Sequence, residues 1–147
     1  MDLEARTKEF FAAHRDLRPG AILPFVAPVA RIEYVGALEP MDREGLERML
    51  EAMHSNLAAL AMEHMEFRLT NVVARRNVTF AEWSCQVERD GRPPTTYAGV
   101  HVLSWNREGL VTDAAIYTDP ETIRRLAVGS HSAWRSHAAA EPETAFL

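Results

Sequence analysis

The sequence has very little cysteine and no concentration of positive charge. Cys85 is the only cysteine, so the chain can form neither an internal disulfide nor a zinc site built from several thiolates. Lysine and arginine number 16 against 21 acidic residues, which gives a formal net charge of −5, and the arginines are scattered. Binding to a nucleic acid or to an anionic membrane surface needs a basic face, so the sequence predicts neither as a partner.

Long apolar runs and a targeting segment are also missing. No apolar stretch reaches the length that spans a bilayer. The opening segment, MDLEARTKEF, lacks the basic stretch and apolar run of a secretory signal peptide, so we expect a cytoplasmic protein. The chain has 147 residues, of which 47% are hydrophobic, and this is the size of one domain with a sizeable core.

Hydrophobic periodicity predicts that helices come first and strands last. Residues 3–17 and 41–62 carry apolar side chains at helical spacing, and RPG ends the first of these helices. A first strand is predicted over residues 29–35. The period then changes to two, which predicts four strands: one with Met65, Phe67, Leu69 and Val73 on one face, then 78–88, 95–105 and 110–118. A short helix should start at Asp119-Pro120 and run through Leu126.

This order of elements predicts an α+β fold in which helices cover one face of a sheet and leave a pocket between the two layers. We expect one domain over residues 1–128 and a tail over 129–147 that is disordered or packed on a partner. Both faces of the last two strands carry apolar side chains, among them Val100, Val102 and Leu103. Because one domain covers only one face, we expect a homodimer formed through the other.

Two segments carry a family resemblance. DGRPPTTYAGVHVLSWNREGLVTDAAIYTDP resembles the last hairpins of the nuclear-transport-factor-2-like superfamily, and PVARIEYVGALEPMDREGLERML resembles its strand, loop and third helix. That superfamily includes ketosteroid isomerase and the SnoaL-like polyketide cyclases. The resemblance implies a cone-shaped fold, with a curved antiparallel sheet wrapped around a long helix. It implies no single activity, because this fold hosts many chemistries.

The resemblance also places individual residues. His101 matches the position where ketosteroid isomerase has the protonated acid that donates to the substrate oxyanion. Tyr34 falls at or beside the place of that enzyme's carboxylate base, and Phe10 or Phe11 falls near its tyrosine donor. Both of those enzyme groups are missing here, so a standard ketosteroid isomerase is not expected. A histidine, a tyrosine and aromatic walls are more similar to the dehydratases and cyclases of the superfamily.

The predicted catalytic residues are His101, Tyr34 and His14, three polar tips on otherwise apolar stripes. His101 would donate or accept a proton at a substrate oxygen or α-carbon, and Tyr34 or His14 would orient or stabilise the oxyanion. The other reading of His101 is a core histidine bonded to a backbone carbonyl or a hydroxyl. The predicted substrate-binding residues are Trp83, Phe11, Met53, Leu103, Ala114, Ile116 and Thr118. No cofactor is predicted, and no metal site either, since the remaining histidines form no recognisable ligand pair: His54, His64, His131 and His137.

The register of the last hairpin and the function each leave alternatives open. A two-residue turn at Arg107-Glu108 would pair His101 with Ala114 and put Asp113 on the opposite face, whereas a bulge at Gly109 would bring Asp113 diagonal to His101. The predicted function is acid–base catalysis of a cyclisation, dehydration or isomerisation on a hydrophobic polyketide-, steroid- or terpenoid-like substrate. The alternatives are a protein that binds such a ligand without catalysis, and an assembly module that uses the sheet as a dimer face.

Overall fold

The computed structural model describes residues 1–59, 62–89 and 91–128. The helices are α1 (Leu3–Ala12), α2 (Pro19–Ile22), α3 (Arg43–Ala59) and α4 (Pro120–Leu126), and 3₁₀ turns at Arg15–Leu17 and Leu23–Phe25 flank α2. The strands are β1 (Val26–Tyr34), β2 (Met62–Arg75), β3 (Val78–Arg89), β4 (Arg92–Trp105) and β5 (Val111–Tyr117). The tail predicted over residues 129–147 lies outside the described residues. No helix in the described part of the chain is long and apolar enough to cross a membrane.

The five strands form one sheet in the order β1-β5-β4-β3-β2. The last four strands pair antiparallel, as predicted, while β1 joins β5 in parallel and brings Tyr34 opposite Ile116. The sheet is curved and open, and the predicted α+β class is confirmed.

The core lies between the inner face of the sheet and the helices. Helix α3 turns its predicted apolar stripe inward and buries Leu46, Met49, Leu50, Met53 and Leu57. Strand β3 buries every second residue on the facing side, namely Ala81, Trp83, Cys85 and Val87. Helix α1 is joined to this layer by buried hydroxyls, because Thr7 Oγ1 lies 3.2 Å from Thr79 Oγ1, which also accepts from Trp105 Nε1 at 2.9 Å.

The first helix ends five residues earlier than predicted, at Ala12. Asp16 and Leu17 adopt left-handed backbone angles, with φ of 55° and 53°, which no helix can continue through. Asp16 is held there by long-range contacts: its carboxylate accepts from the Met65 backbone N–H at 3.0 Å, and its carbonyl accepts from His54 Nδ1 at 2.7 Å. The turn carries Leu17 into the core, where it becomes a wall of the pocket.

The predicted alternation along β2 is wrong at its far end. The pairing of β2 with β3 shifts between Leu69 and Asn71, so the side chains beyond this bulge exchange faces. Val72 therefore packs on the core, and Val73 is 53% exposed on the outer face.

The β4–β5 hairpin pairs His101 with Ile116 rather than with Ala114 as the two-residue turn predicted. The turn from Asn106 to Leu110, with Gly109 at a φ of 74°, takes one extra residue, and a bulge beside Trp105 takes another. Asp113 pairs with Ser104 and is exposed on the outer face. A His101–Asp113 dyad is therefore excluded.

Candidate functional site

A mainly apolar pocket opens between the inner face of the sheet, helix α3 and helix α4. Its cavity volume is about 50 Å³, and its walls include Leu17, Met53, Met65, Phe67, Trp83 and Tyr97. A second cavity of about 20 Å³ lies deeper, against apolar residues such as Ile32 and Leu50. Both cavities are lined by His14, Tyr34, His101 and Ile116, so the three predicted catalytic residues lie where the two cavities meet.

His101 has a fixed proton position. Its ring is 5% exposed, and its Nδ1 accepts a hydrogen bond from Trp83 Nε1–H at 2.7 Å. An indole nitrogen can only donate, so Nδ1 of His101 must carry a lone pair. The neutral ring therefore holds its proton on Nε2. The partner of this histidine is a tryptophan side chain rather than the carbonyl or hydroxyl considered from the sequence.

His14 has the opposite proton position. Its Nδ1 lies 2.8 Å from the carbonyl oxygen of Phe10, one turn back along α1. A carbonyl can only accept, so Nδ1 carries the proton and Nε2 carries the lone pair. The ring centroids of His14 and His101 are 6.2 Å apart, and Phe11 stacks on His14 at 5.5 Å. Two buried imidazoles of complementary tautomer thus lie next to each other, with their planes at 89°.

Three polar groups at this point have no hydrogen-bond partner among the described residues: the Tyr34 hydroxyl and the Nε2 atoms of His14 and His101. Buried polar groups are rarely left unpaired in folded proteins. Together they offer two donors, from Tyr34 and His101, and one acceptor, from His14. This is the set that a ligand with a polar oxygen next to a transferable proton requires.

Burial keeps the site uncharged at neutral pH. It lowers the pKa of His14 to about 4, against an opposing effect of the Phe10 carbonyl. Burial, followed by repulsion from His14, lowers the pKa of His101 well below its ordinary value, and burial raises the pKa of Tyr34. No lysine, arginine or carboxylate lies among the described lining residues. Burial also raises the pKa of Cys85 to about 12, so its thiol is not a ready nucleophile.

The predicted substrate-binding residues divide into three groups. Met53, Trp83, Ile116 and Thr118 line the outer pocket, and Ala114 lines the inner cavity. Phe11 and Leu103 line neither cavity. Phe11 packs against the edge of His101 at 4.9 Å as a support for both imidazoles. Leu103 is fully buried in the sheet layer between its strand partners Thr79 and Ala114.

Sequence reasoning missed several walls of the pocket. Tyr97 precedes His101 by four residues on the same strand, and Phe67 follows Met65 in the alternating pattern, so both shared a face that the sequence indicated. Leu17 shared the apolar stripe of the predicted first helix with His14, but its place in the wall depends on the left-handed turn. The other walls not assigned from the sequence are Met65, Cys85, Thr122, Ile123 and Leu126. Within the described residues, no three histidine, cysteine or acidic side chains gather as metal ligands.

Comparison with known proteins identifies the family. A family model of the SnoaL-like domain matches residues 7–114, which is well over half of the chain. The chain belongs to the SnoaL-like family. It is thereby a member of the nuclear-transport-factor-2-like superfamily that the sequence resembled. None of the curated proteins searched matches the SnoaL-like chain.

Solved structures with the same fold agree with this assignment. AclR of Streptomyces galilaeus, a proposed hydroxylase, superimposes with a TM-score of 0.65 at 13% identity, covering 84% of this chain and 95% of AclR. An NTF2-like protein of unknown function from Exiguobacterium sp. 255-15 superimposes with a TM-score of 0.58 at 11% identity, covering 80% and 98%. At such low identity these similarities show the fold of this SnoaL-like chain and leave its reaction open.

Proposed function

We propose that this SnoaL-like protein is a cofactor-independent enzyme that moves a proton next to a carbonyl group of an uncharged hydrophobic compound. The observation that carries the proposal is the pair of buried imidazoles with opposite tautomers, one offering a lone pair and the other an N–H to the same cavity. In this assignment His14 is the general base, and His101 and Tyr34 are the oxyanion donors.

The reaction begins with removal of a proton from the α-carbon of the substrate by Nε2 of His14. The electron pair of the broken C–H bond forms a carbon–carbon double bond, and the carbonyl π pair moves to the oxygen. The enolate oxygen is held by Nε2–H of His101 and the Tyr34 hydroxyl, which stabilise charge that develops in the transition state. His14 then returns its proton to carbon. Ketosteroid isomerase performs this step with a base whose pKa is about 4.6, so a base as weak as His14 is adequate.

The walls of the pocket support one substrate class. An uncharged pocket gives an anionic group no partner, which favours neutral ketones of polyketide, steroid or terpenoid type. Both cavity volumes are far below the roughly 150 Å³ that encloses a benzene molecule in another protein. In this proposal the reacting carbonyl enters the cavity, while the remainder of a larger substrate stays outside it or displaces lining side chains. Cyclisation, dehydration and isomerisation all can begin with the same proton removal.

The test uses 2-tetralone, a neutral bicyclic ketone with acidic protons beside its carbonyl. In D2O the protein should accelerate exchange of the protons at carbon 1, followed by NMR. His14→Ala should lower the rate by about 10²- to 10⁴-fold, the usual contribution of a general base, and His101→Ala should lower it in the same direction. Ser55→Ala, an exposed residue of α3, is the control and should exchange normally. Equal rates for the native protein and His14→Ala would contradict the assignment of the base.

One observation favours a second function, the binding of such ketones without turnover. The pKa of His14, near 4, makes it a weak base as well as a neutral hydrogen-bond acceptor. A pure binding protein would take up 2-naphthol, which has the shape of the enol of 2-tetralone, and would cause no exchange. That combination would replace the catalytic proposal with the binding one.

A further inference from the structure

We propose that Trp83 and Gly99 are positioning residues that hold His101 in the tautomer with its proton on Nε2. The inference rests on the proposed function, in which that proton is a donor to the oxyanion. Neither residue needs to touch the reacting atoms. Their role is to determine which ring nitrogen of His101 carries the hydrogen atom that is donated to the ligand.

The first support is the contact between the two rings. Trp83 on β3 and His101 on β4 both point to the inner face of the sheet, and their ring centroids are 5.7 Å apart. Trp83 Nε1–H donates to Nδ1 at 2.7 Å, which is short for a hydrogen bond of this type. If the proton of His101 moved to Nδ1, two N–H groups would face each other in a buried site. The indole has no acceptor atom with which to adapt.

The second support is the glycine that lies under the indole. Gly99 is the strand partner of Trp83 and precedes His101 by two residues on the same face. A Cβ atom on Gly99 would overlap Cζ2 of the indole, and it would lie 2.8 Å from Cε2 and 2.6 Å from the Tyr117 carbonyl oxygen. Cε2 is bonded to the donor nitrogen. Only glycine at position 99 therefore leaves room for the indole to lie over β4 and reach His101. On the indole itself packs Phe67, with the ring centroids 5.2 Å apart.

In the pocket, each of the two histidines therefore has one fixed hydrogen-bonding role. With Trp83 in place, His101 donates and His14 accepts, so a carbonyl oxygen and the proton beside it each find a matching group. Without the indole N–H, His101 is free to place its proton on Nδ1. Its Nε2 would then be a second lone pair in a cavity that already contains the lone pair of His14, and the oxyanion would lose one donor.

The decisive experiment measures the tautomer directly. The full-length protein labelled with ¹⁵N in its histidine rings is studied by NMR, with the His101 signals assigned by their loss in His101→Asn. At neutral pH the native protein should show an unprotonated Nδ1 and a protonated Nε2. Trp83→Phe, which keeps an aromatic ring and removes the N–H, should show protonation shared between the two nitrogens. A native His101 protonated on Nδ1, or an unchanged pattern in Trp83→Phe, would overturn the proposal.

A matched control exists in the same core. Trp105 is also buried and also donates its indole N–H, but to Thr79 and not to a ring of the site. Trp105→Phe should cost stability for the same reason as Trp83→Phe and leave the His101 pattern unchanged. A shift of equal size in both variants would mean that the tautomer responds to general loosening of the core, and it would also overturn the proposal.

A second variant reaches the same hydrogen bond from the other side. Gly99→Ala keeps the indole N–H but displaces it, so it should change the His101 pattern in the direction of Trp83→Phe. In the 2-tetralone assay both variants should lose about ten- to a hundredfold in kcat, as when a partner that orients a metal-binding histidine is removed. The two proposals fail separately. Absence of exchange in the native protein would end the catalytic function, whereas an unchanged tautomer with normal exchange would end the positioning role alone.

Discussion

The atom that each histidine ring touches decides what that histidine can do in this protein. His54 and His64 lie near the surface, where His54 donates to the Asp16 carbonyl and His64 lies between the carboxylates of Asp16 and Glu66 at 3.4 and 3.7 Å. His14 and His101 lie in an apolar core, and among the described residues each has a hydrogen-bond partner at Nδ1 alone. Burial without a counter-charge keeps both rings neutral, and this couples the site to the stability of the fold.

The protein should lose stability as the pH falls from 7 to 5. Because the pKa of His14 is near 4 in the folded chain and near 6.5 when the chain is unfolded, the unfolded state binds more protons between these values. The stabilising effect is complete above pH 6.5 and disappears as the pH falls towards 4. Over the interval from 7 to 5 the free energy of unfolding should fall by about 2 kcal/mol through His14, and His101 acts in the same direction.

Urea unfolding at pH 7, 6 and 5 measures this effect in a range where most carboxylates stay ionised. His14→Phe should flatten the dependence, since it removes the titrating ring and keeps an apolar group of similar shape. Ser55→Ala, on the exposed side of α3, removes no titrating group and should leave the slope unchanged. A slope that persists in His14→Phe would show that other groups cause it, with His101 the first to examine.

Individual residues of the site were predictable where they lie on strands whose apolar side chains alternate regularly. His101, Trp83 and Ile116 all lie on strands with a clear alternation, so their inward direction followed from parity alone. The partner of His101 did not follow, because the turn and the bulge beside Trp105 each added a residue to the hairpin. Leu103 points to the same face as His101 but is covered by the rest of the core. The alternation shows which face a side chain points to, and it does not show whether that side chain reaches the pocket.

At the scale of elements, α4 covers the pocket although it is only seven residues long. Thr122, Ile123 and Leu126 face the cavity. A helix of this length is marginal by itself and depends on its attachments. Arg124 donates to the Gly36 and Ala37 carbonyls at 2.7 and 3.2 Å, and Asn56 of α3 donates to the Leu126 and Val128 carbonyls at 2.8 Å each.

Removal of the Asn56 side chain should loosen α4 selectively. Asn56→Ala leaves two carbonyls at the end of the helix without their donor, so we expect the amides of α4 to exchange with solvent roughly ten times faster or more, as for a local loss of about 1–2 kcal/mol. Hydrogen exchange followed by mass spectrometry measures this. Asn71→Ala, an exposed asparagine on β2, should leave α4 as it was. Uniformly faster exchange across the sheet would mean that the whole fold had been weakened instead.

The order and type of the elements were predictable, but their ends depended on distant contacts. The stripe of α3 and the alternation of β3 are local patterns, and the structure follows both. The end of α1 is different, because the turn at Asp16 is held by the backbone of Met65, 49 residues away. A window of neighbouring residues contains no trace of that contact, so the periodic pattern of α1 was extended through Leu17.

At the scale of the whole molecule, the outer face of the sheet carries an apolar row. Val73, Phe80, Val102 and Ala115 are successive partners across four strands, and Val100 and Tyr117 form the adjacent pair. Phe80 is 47% exposed and Tyr117 is 49% exposed. Of the residues on which the dimer prediction rested, Leu103 points inward and does not belong to this face, whereas Val100 and Val102 do.

We expect this face to join two copies of the chain in solution. A contiguous row of exposed apolar side chains favours a partner. The predicted state is a homodimer at micromolar concentration. Phe80→Glu should dissociate it, because the charge would be buried at the centre of the row. Val29→Glu, at an exposed valine outside the paired rows, is the control and should stay dimeric. Sedimentation measures both, and a native protein that sediments as a monomer would refute the prediction.

The parallel pairing of β1 with β5 has a consequence for the protein as it is made. It joins Tyr34 to Ile116, so the first strand to be synthesised pairs in the sheet only with the last strand, although Ile32 can already bridge to Met41. His14 and Tyr34 are synthesised long before His101, and the two halves of the site meet only when nearly all of the described chain has emerged. Pairings between such distant segments form slowly and leave apolar strands open to wrong contacts. A nascent chain stopped before β5 would therefore contain α1 and β1 but no assembled site. We expect such a chain to be inactive and to bind chaperones.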